Sequence, residues 1–214
     1  MELKLLIKKV IGETVSFPVL FAPTFLAYFL NGLLASNRLI SALGGGGSLF
    51  ASLLIFALLI PAAAGITISL DRKINSGKYP SLIDSFEEIK PKYLTLIGVN
   101  LAANLAAVLG LFLFIIPGIY LLVKFVFVSQ EVLLGGKTNL QEALESSWNH
   151  TNNLWGTVFQ IILIFQLPPL IFSLSLTGLP PGWGMTLNII MFTIAQTWLT
   201  LVITHLYVKI TRGN

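Results

Sequence analysis

The chain of 214 residues contains no cysteine and only two histidines. The absence of cysteine excludes disulfide bonds, thiolate metal sites and cysteine nucleophiles, and it leaves the cellular compartment open. Two histidines provide little material for a metal site, and neither is accompanied by a nucleophile with an orienting acid. We therefore expect no catalytic residues, no cofactor and no enzymatic activity.

Charged residues are also scarce: they make up 10% of the chain, whereas a soluble domain has about 25%. So few charges cannot cover a surface that faces water. Hydrophobic residues make up 55% and the mean hydropathy is +0.86, so the sequence predicts an integral membrane protein. The net charge of +4 and the isoelectric point near 9.4 are interpreted as the basic bias of cytoplasmic loops, not as a nucleic-acid interface.

Long apolar runs predict an all-α membrane bundle, in which six transmembrane helices form tight hairpins within one membrane domain of residues 1–214. The fourth run has about 16 residues, fewer than the ~20 needed to cross squarely. The first run is interpreted as a span and not a signal peptide, because Leu33, Leu34 and Ala35 form a poor cleavage site. The predicted spans are residues 17–34, 49–70, 93–116, 119–134, 154–174 and 185–208.

Proline and glycine predict where these spans bend or end. A tight turn is expected at Pro117–Gly118, between the third and fourth spans. Flexible connections are expected at 36–48, which contains four consecutive glycines, and at 179–184. Kinks or breaks are expected at Pro18, Pro23, Pro61, Pro168 and Pro169.

Three short amphipathic helices are predicted at the membrane surface. Residues 2–13 place apolar side chains at helical spacing, with lysines on the other faces. Ser81 with Asp84, and Asn139 with Glu142, have the spacing of a cap at a helix start. Each pair begins a short helix that leads into the next hairpin.

Basic residues predict the orientation. With six spans, eleven of them fall on one side together with both chain ends, whereas the other side has only Arg38 and Lys124 lies within a span. The basic side is expected to be cytoplasmic, so both termini of this multi-pass cell-membrane protein should be cytoplasmic. The eleven are Lys4, Lys8, Lys9, Arg72, Lys73, Lys78, Lys90, Lys92, Lys137, Lys209 and Arg212.

An internal repeat is one interpretation of the two capped loops. Gly77 and Gly136 are 59 residues apart, and Ser81 and Asn139 are 58 apart. The hypothesis is three units of a surface helix and a hairpin, over 1–75, 76–134 and 135–214. The alternative is that such loops are common to polytopic proteins, and the sequence leaves both open.

Three segments resemble a known family: residues 117–124 (PGIYLLVK), 142–148 (EALESSW) and 152–155 (NNLW). A Pro-Gly turn, a basic residue in the next helix and an Ala-Leu-x-x-Ser-Trp helix are similar to the pattern of a large family of bacterial and archaeal six-span membrane proteins. That family includes the membrane domain fused to some glycerophosphodiester phosphodiesterases. The match covers about residues 110–160. Because the catalytic part of the fused proteins is a separate soluble domain, the resemblance implies no hydrolase activity.

Two charges in the fourth span are candidates for ligand binding, because charge within the bilayer is costly. Lys124 and Glu131 are seven residues apart, which places them on one face of a continuous helix but about 10 Å apart along its axis. Lys124 is expected to hold an anion, a lipid headgroup or a carboxylate; the alternative is a structural role. For Glu131 the structural role is favoured.

Neutral polar residues supply the other candidates. Asn100 and Asn104 are one turn apart on the third span. Thr197 and Thr200 belong to a threonine stripe on the sixth span, for which helix packing is favoured over a polar pathway. His205 is interpreted as an interfacial residue and not as a proton relay. The stripe comprises Thr186, Thr193, Thr197, Thr200 and Thr204.

These features predict a non-enzymatic membrane protein that binds lipid or moves a small solute through a polar interior. The alternative is a structural anchor or assembly protein whose basic cytoplasmic face binds anionic lipid or a partner protein. Membrane lipids are the expected partners, and a homo-oligomer of the chain is left open.

Overall fold

The computed structural model describes residues 3–35, 44–176 and 181–212, and within them every regular element is helical. This confirms the all-α prediction. The α-helices are α1 (Leu3–Ser16), α2 (Ala22–Ala35), α3 (Gly44–Asn75), α4 (Leu82–Ile89), α5 (Tyr93–Leu113), α6 (Ile115–Lys124), α7 (Val128–Leu133), α8 (Leu140–His150), α9 (Trp155–Ser175) and α10 (Pro181–Arg212). Short 3₁₀ helices cover Pro18–Phe21 and Lys90–Lys92.

Four helical stretches are long and apolar enough to cross a membrane. A fifth crossing results if the bent pair Leu3–Ser16 and Pro18–Leu33 counts as one broken span. The structure is therefore consistent with a membrane protein, while the count of six crossings stays a prediction. The four stretches are Leu82–Leu113, Ile115–Leu133, Trp155–Ser175 and Gly182–Thr211.

The N-terminal helix is separate from the first apolar run, as predicted. The chain bends by 102° between α1 and the segment that begins at Pro18, where proline occupies the first position of a 3₁₀ helix. Leu6 and Val10 of α1 are buried in the main hydrophobic core. Trp198 of α10 donates its indole N–H to the Thr14 hydroxyl at 3.0 Å, so α1 packs against α10 as well as presenting a polar face.

Two hydrophobic cores hold the bundle together. The larger one joins α1, α3, α9, α10 and the chain around Phe127. The smaller one joins Ile68 of α3 with Leu96 of α5 and with α7 and α8. Buried side chains of this kind stabilise packing among helices, while lipid-facing side chains stay exposed in the isolated chain.

The two predicted helix caps are confirmed. The Ser81 hydroxyl accepts a hydrogen bond from the backbone N–H of Asp84 at 3.3 Å, and the Asn139 side chain accepts one from Gln141 at 2.9 Å. The glycines that precede these caps are both left-handed, with φ of 72° at Gly77 and 70° at Gly136.

The predicted turn at Pro117–Gly118 is wrong. The chain reverses instead at Phe114, whose backbone is extended (φ −158°, ψ 143°) between α5 and α6. Pro117 lies in the first turn of α6, where a missing N–H removes no helical hydrogen bond. Gly118 of α6 has a different role. Because it has no side chain, the backbone of α6 can contact the backbone of α5 at Leu111.

The fourth span is also not one continuous helix. α6 ends at Lys124, and α7 begins at Val128 after an irregular turn. The expectation that Lys124 and Glu131 share a helix face is therefore wrong, because it assumed unbroken 3.6-residue periodicity.

Several breaks predicted from proline and glycine do not occur. α9 continues through Pro168 and Pro169, where a break was predicted. At Pro61 a kink was predicted; α3 continues through this proline, and the kink stays a prediction. In the predicted connector at 36–48, residues 36–43 lie outside the described part, and α3 already begins at Gly44. In the predicted turn at 179–184, residues 179 and 180 lie outside it, and α10 covers the rest.

Candidate functional site

A polar cavity of about 130 Å³ lies between α3, α5, α7 and α10. Its apolar wall comes mainly from Ile60, Ala64 and Ile68 of α3 and from Leu199 and Ile203 of α10. Such a volume has room for several water molecules or one small organic molecule. The polar side chains that line it are Asn100, Ser129, Gln130, Gln196 and Thr200.

Hydrogen bonds between helices hold these side chains in place. Asn100 of α5 donates to the hydroxyl of Ser129 at 3.0 Å. Gln166 of α9 donates to the side-chain oxygen of Gln196 at 2.9 Å. Polar contacts of this kind orient helices within a membrane. The lining of this cavity, called the inner cavity below, is therefore positioned by contacts among α5, α7, α9 and α10.

Gln130 has the most unusual position in the inner cavity. It is 3% exposed, and its amide N–H donates to the Thr204 hydroxyl at 3.2 Å. Its side-chain oxygen has no hydrogen-bond partner among the described residues. A buried acceptor without a partner is costly, and this oxygen is the polar atom of Gln130 that the described residues leave unsatisfied.

A second, larger cavity of about 340 Å³ lies next to the first, near the ends of α3 and α10. Thr204 lines this outer cavity and also holds Gln130, which lines the inner one. The Gln130–Thr204 hydrogen bond therefore lies at the boundary between the two cavities. The outer cavity is lined by Lys9, Asp71, Arg72, Asn75, Ser76, Leu134, Thr204, His205 and Val208.

Lys124 does not line either cavity. Its side chain is 2% exposed, and its ammonium group lies 5.4 Å from the ring centre of Tyr120 and 4.8 Å from that of Trp148. It donates hydrogen bonds to the Asn152 side chain and, at 3.4 Å, to the backbone carbonyl of Trp148 near the end of α8. These contacts satisfy the charge within the protein and indicate a structural role.

Glu131 is 1% exposed and is engaged through both carboxylate oxygens. His150 of α8 lies 2.6 Å from one oxygen through its Nδ1. Tyr207 of α10 donates its hydroxyl to the other oxygen at 3.1 Å. The carboxylate therefore joins α7, α8 and α10.

The remaining predicted site residues are divided between the cavity and other environments. Thr200 and Asn100 line the inner cavity. Asn104, one turn from Asn100, is exposed on the surface of the bundle. Thr197 is fully buried, and its hydroxyl has no partner within the described part of the chain.

Sequence reasoning missed Ser129 and Gln130 as cavity residues. Gln130 directly precedes Glu131 inside an apolar run. Two adjacent polar residues within a predicted span indicate a buried polar site, and this signal could have identified Gln130. The interpretation of His205 also missed its partners: the side chain is 10% exposed and lies between Glu13 and Asp71. No sequence spacing relates those three residues.

Comparison with known protein families, with curated proteins and with solved structures finds no match for this chain. The family resemblance of the segments at 117–155 therefore stays a prediction from their motifs.

Proposed function

We propose that the chain is a non-enzymatic integral membrane protein that binds a small neutral polar solute in the inner cavity and moves it through the bundle. One observation carries the proposal: the cavity is lined by amides and hydroxyls from α5, α7 and α10. A polar cavity within a bilayer favours a polar occupant, because polar groups that lack a partner are costly there.

The outer cavity supplies the route of entry in this proposal. It carries charged side chains and lies where α3 and α10 end, whereas the inner cavity carries neutral ones. Passage between them requires the Gln130–Thr204 hydrogen bond to open. Thr204 also donates to the carbonyl of Thr200 at 2.7 Å, so its hydroxyl keeps this hydrogen bond within the helix when Gln130 turns away.

Solute flux into vesicles tests the proposal. The purified chain is reconstituted into liposomes, and the entry of glycerol and of urea is followed by light scattering after an osmotic step. We expect faster entry than into protein-free liposomes. The Asn100→Leu variant removes a cavity amide at similar volume and should reduce the protein-dependent rate by about tenfold, the value of roughly one buried hydrogen bond.

Asn104→Leu is the matched control, because it changes the same residue type one turn away on the exposed face of α5. Its rate should equal that of the unmodified chain. Equal losses in the two variants, or no flux above protein-free liposomes for the unmodified chain, would show that the inner cavity does not carry a solute.

We also propose that the chain lies in the cell membrane, crosses it six times and has both chain ends in the cytoplasm. α3 supports the count, because its 32 residues correspond to about 48 Å of helix at 1.5 Å per residue. Gly77 and Gly136 have matching left-handed conformations before matching caps, which supports the repeat of a surface helix and a hairpin.

Single cysteines in this cysteine-free chain test the orientation. We expect Arg38→Cys to react with a membrane-impermeant maleimide on intact cells, because it carries the lone basic charge of the outer side. Lys78→Cys and Lys209→Cys should react only after lysis. Labelling of either lysine position on intact cells would reverse the assignment.

One observation favours a second candidate function, a membrane anchor that binds anionic lipid. α4 presents Ile83 and Phe86 at 75% and 48% exposure, and Lys78 and Lys90 flank it. An amphipathic helix of this kind inserts its apolar face at the headgroup level. The Asn100→Leu variant separates the two functions, because it leaves α4 unchanged.

A further inference from the structure

Three ionisable side chains from distant parts of the chain meet beside the outer cavity. They are Glu13 of α1, Asp71 of α3 and His205 of α10. Their side chains are 15%, 6% and 10% exposed. Each offers one ligand atom, and these atoms all lie within 4.8 Å of one another.

The distances match the edges of a metal coordination shell. His205 Nε2 lies 2.9 Å from Glu13 Oε2 and 3.3 Å from Asp71 Oδ1. Two ligands at right angles around an ion, each bonded at about 2.1 Å, are about 3.0 Å apart. Three helices thus bring the donors together, with each carboxylate oxygen at a coordination-edge distance from the imidazole nitrogen.

We propose that Glu13, Asp71 and His205 bind a divalent transition-metal ion, with its open coordination positions facing the outer cavity. A mixed set of one imidazole and two carboxylates favours Zn²⁺ or Mn²⁺ over Ca²⁺, which takes six to eight oxygen ligands. Asn75 donates to Asp71 Oδ1 at 3.0 Å and orients that carboxylate, as residues around a metal site commonly do.

Without the metal, Lys9 and the Nε2 proton of His205 occupy the site. Lys9 Nζ lies 3.3 Å from His205 Nδ1 and 3.5 Å from Glu13 Oε1. Nε2 of His205 faces the two carboxylates, and Lys9 lies on the Nδ1 side of the ring. A metal ion bound at Nε2 takes the place of the proton there, which is released to solvent, and Lys9 must move away from Glu13.

Lys9 can move, because its side chain is 47% exposed. The other basic residue of the outer cavity, Arg72, is paired with Glu88 and does not compete. Lys9 and the metal ion therefore compete for the Glu13 carboxylate. This competition distinguishes a metal site from a purely structural ion cluster.

Metal titration of the purified full-length chain in detergent tests the proposal. After chelator treatment, Zn²⁺, Mn²⁺ and Ca²⁺ are titrated by calorimetry, and thermal unfolding is followed with and without each ion. We expect one Zn²⁺ or Mn²⁺ site per chain, Ca²⁺ affinity at least about tenfold weaker, and a rise in the unfolding temperature on metal binding.

Four variants give the sharper result. His205→Gln, Asp71→Asn and Glu13→Gln should each lower the affinity at least about a hundredfold, since each removes a metal ligand. Lys9→Ala should raise the affinity about tenfold, since it removes a competing charge. His150→Gln, which changes the other histidine, is the matched control and should bind as the unmodified chain does.

The absence of Zn²⁺ and Mn²⁺ binding to the unmodified chain overturns the proposal. So does unchanged affinity in the three ligand variants, or in Lys9→Ala, which leaves every proposed ligand in place. If one of the ligand variants fails to fold, the metal affinities of the remaining variants still test the proposal. Solute flux is a separate readout, so failure of the metal site is distinguishable from failure of the inner cavity.

Discussion

We expect Gly118→Ala to lower the free energy of unfolding by about 3 kcal/mol, at the upper end of overpacking effects. A Cβ atom at this position would lie 2.6 Å from the Cα of Leu111 and also clash with its backbone nitrogen. A Cβ at Gly110 would in turn lie 2.9 Å from the Cα of Gly118. Because these are backbone contacts, no side-chain rotation relieves them, and α5 and α6 must move apart.

Thermal unfolding in detergent measures the effect, and a loss of this size corresponds to roughly 6–12 °C for a chain of this length. Gly156→Ala is the matched control. It lies in α9, and a Cβ there meets no atom within 4 Å, so the better helix propensity of alanine leaves stability equal or slightly higher. A Gly118→Ala variant as stable as Gly156→Ala would contradict the close packing of α5 and α6.

The second large effect is expected for Lys124→Met, which we predict to lower the free energy of unfolding by about 3 kcal/mol. Methionine preserves an unbranched apolar stem but loses the ammonium group. The Asn152 side chain and the Trp148 carbonyl then lose their donor, and the rings of Tyr120 and Trp148 lose their cation.

Chemical and thermal unfolding of Lys124→Met is compared with that of Lys78→Met. The comparison decides whether Lys124 has a structural role or a role in ligand binding, the two alternatives that the sequence left open. Lys78 is an exposed loop lysine, so its replacement should change stability by less than about 0.5 kcal/mol. A Lys124→Met variant that keeps full stability but loses solute flux would instead assign Lys124 to ligand binding.

The contacts of Lys124 also explain the motif that suggested a family. Ser147 donates to the backbone carbonyl of Lys124 at 2.9 Å and accepts from the N–H of Phe127 at 3.2 Å. Trp148 and Asn152 surround the ammonium group. The residues of the Ala-Leu-x-x-Ser-Trp helix and of the preceding span therefore form one packed unit, in which the broken fourth span is held by α8.

Much of the helix pattern follows from local sequence. The caps at Ser81 and Asn139 were predictable because the side chain and the N–H it satisfies are two or three residues apart. The errors arose at proline. Pro168 and Pro169 were expected to end α9, yet the helix continues, because helices within membranes tolerate proline when neighbouring groups satisfy the freed carbonyls.

The candidate site was only partly predictable. Asn100 was identified because a polar residue inside an apolar run is unusual, but the same argument selected Asn104, which faces outward. The rotation of α5 about its axis decides between them. Rotation depends on what packs against the helix, and spacing along one helix does not contain that information.

The helical secondary structure and the expectation of a membrane protein follow from the sequence itself, since scarce charge, long apolar runs and cap spacing are local properties. Tertiary structure alone decided which polar groups meet. Gln130 contacts Thr204 across 74 positions, and His205 contacts Glu13 across 192. Such pairings depend on how separate helices rotate about their axes and cross one another. In an apolar environment, an arrangement in which polar groups bind each other is stabilised.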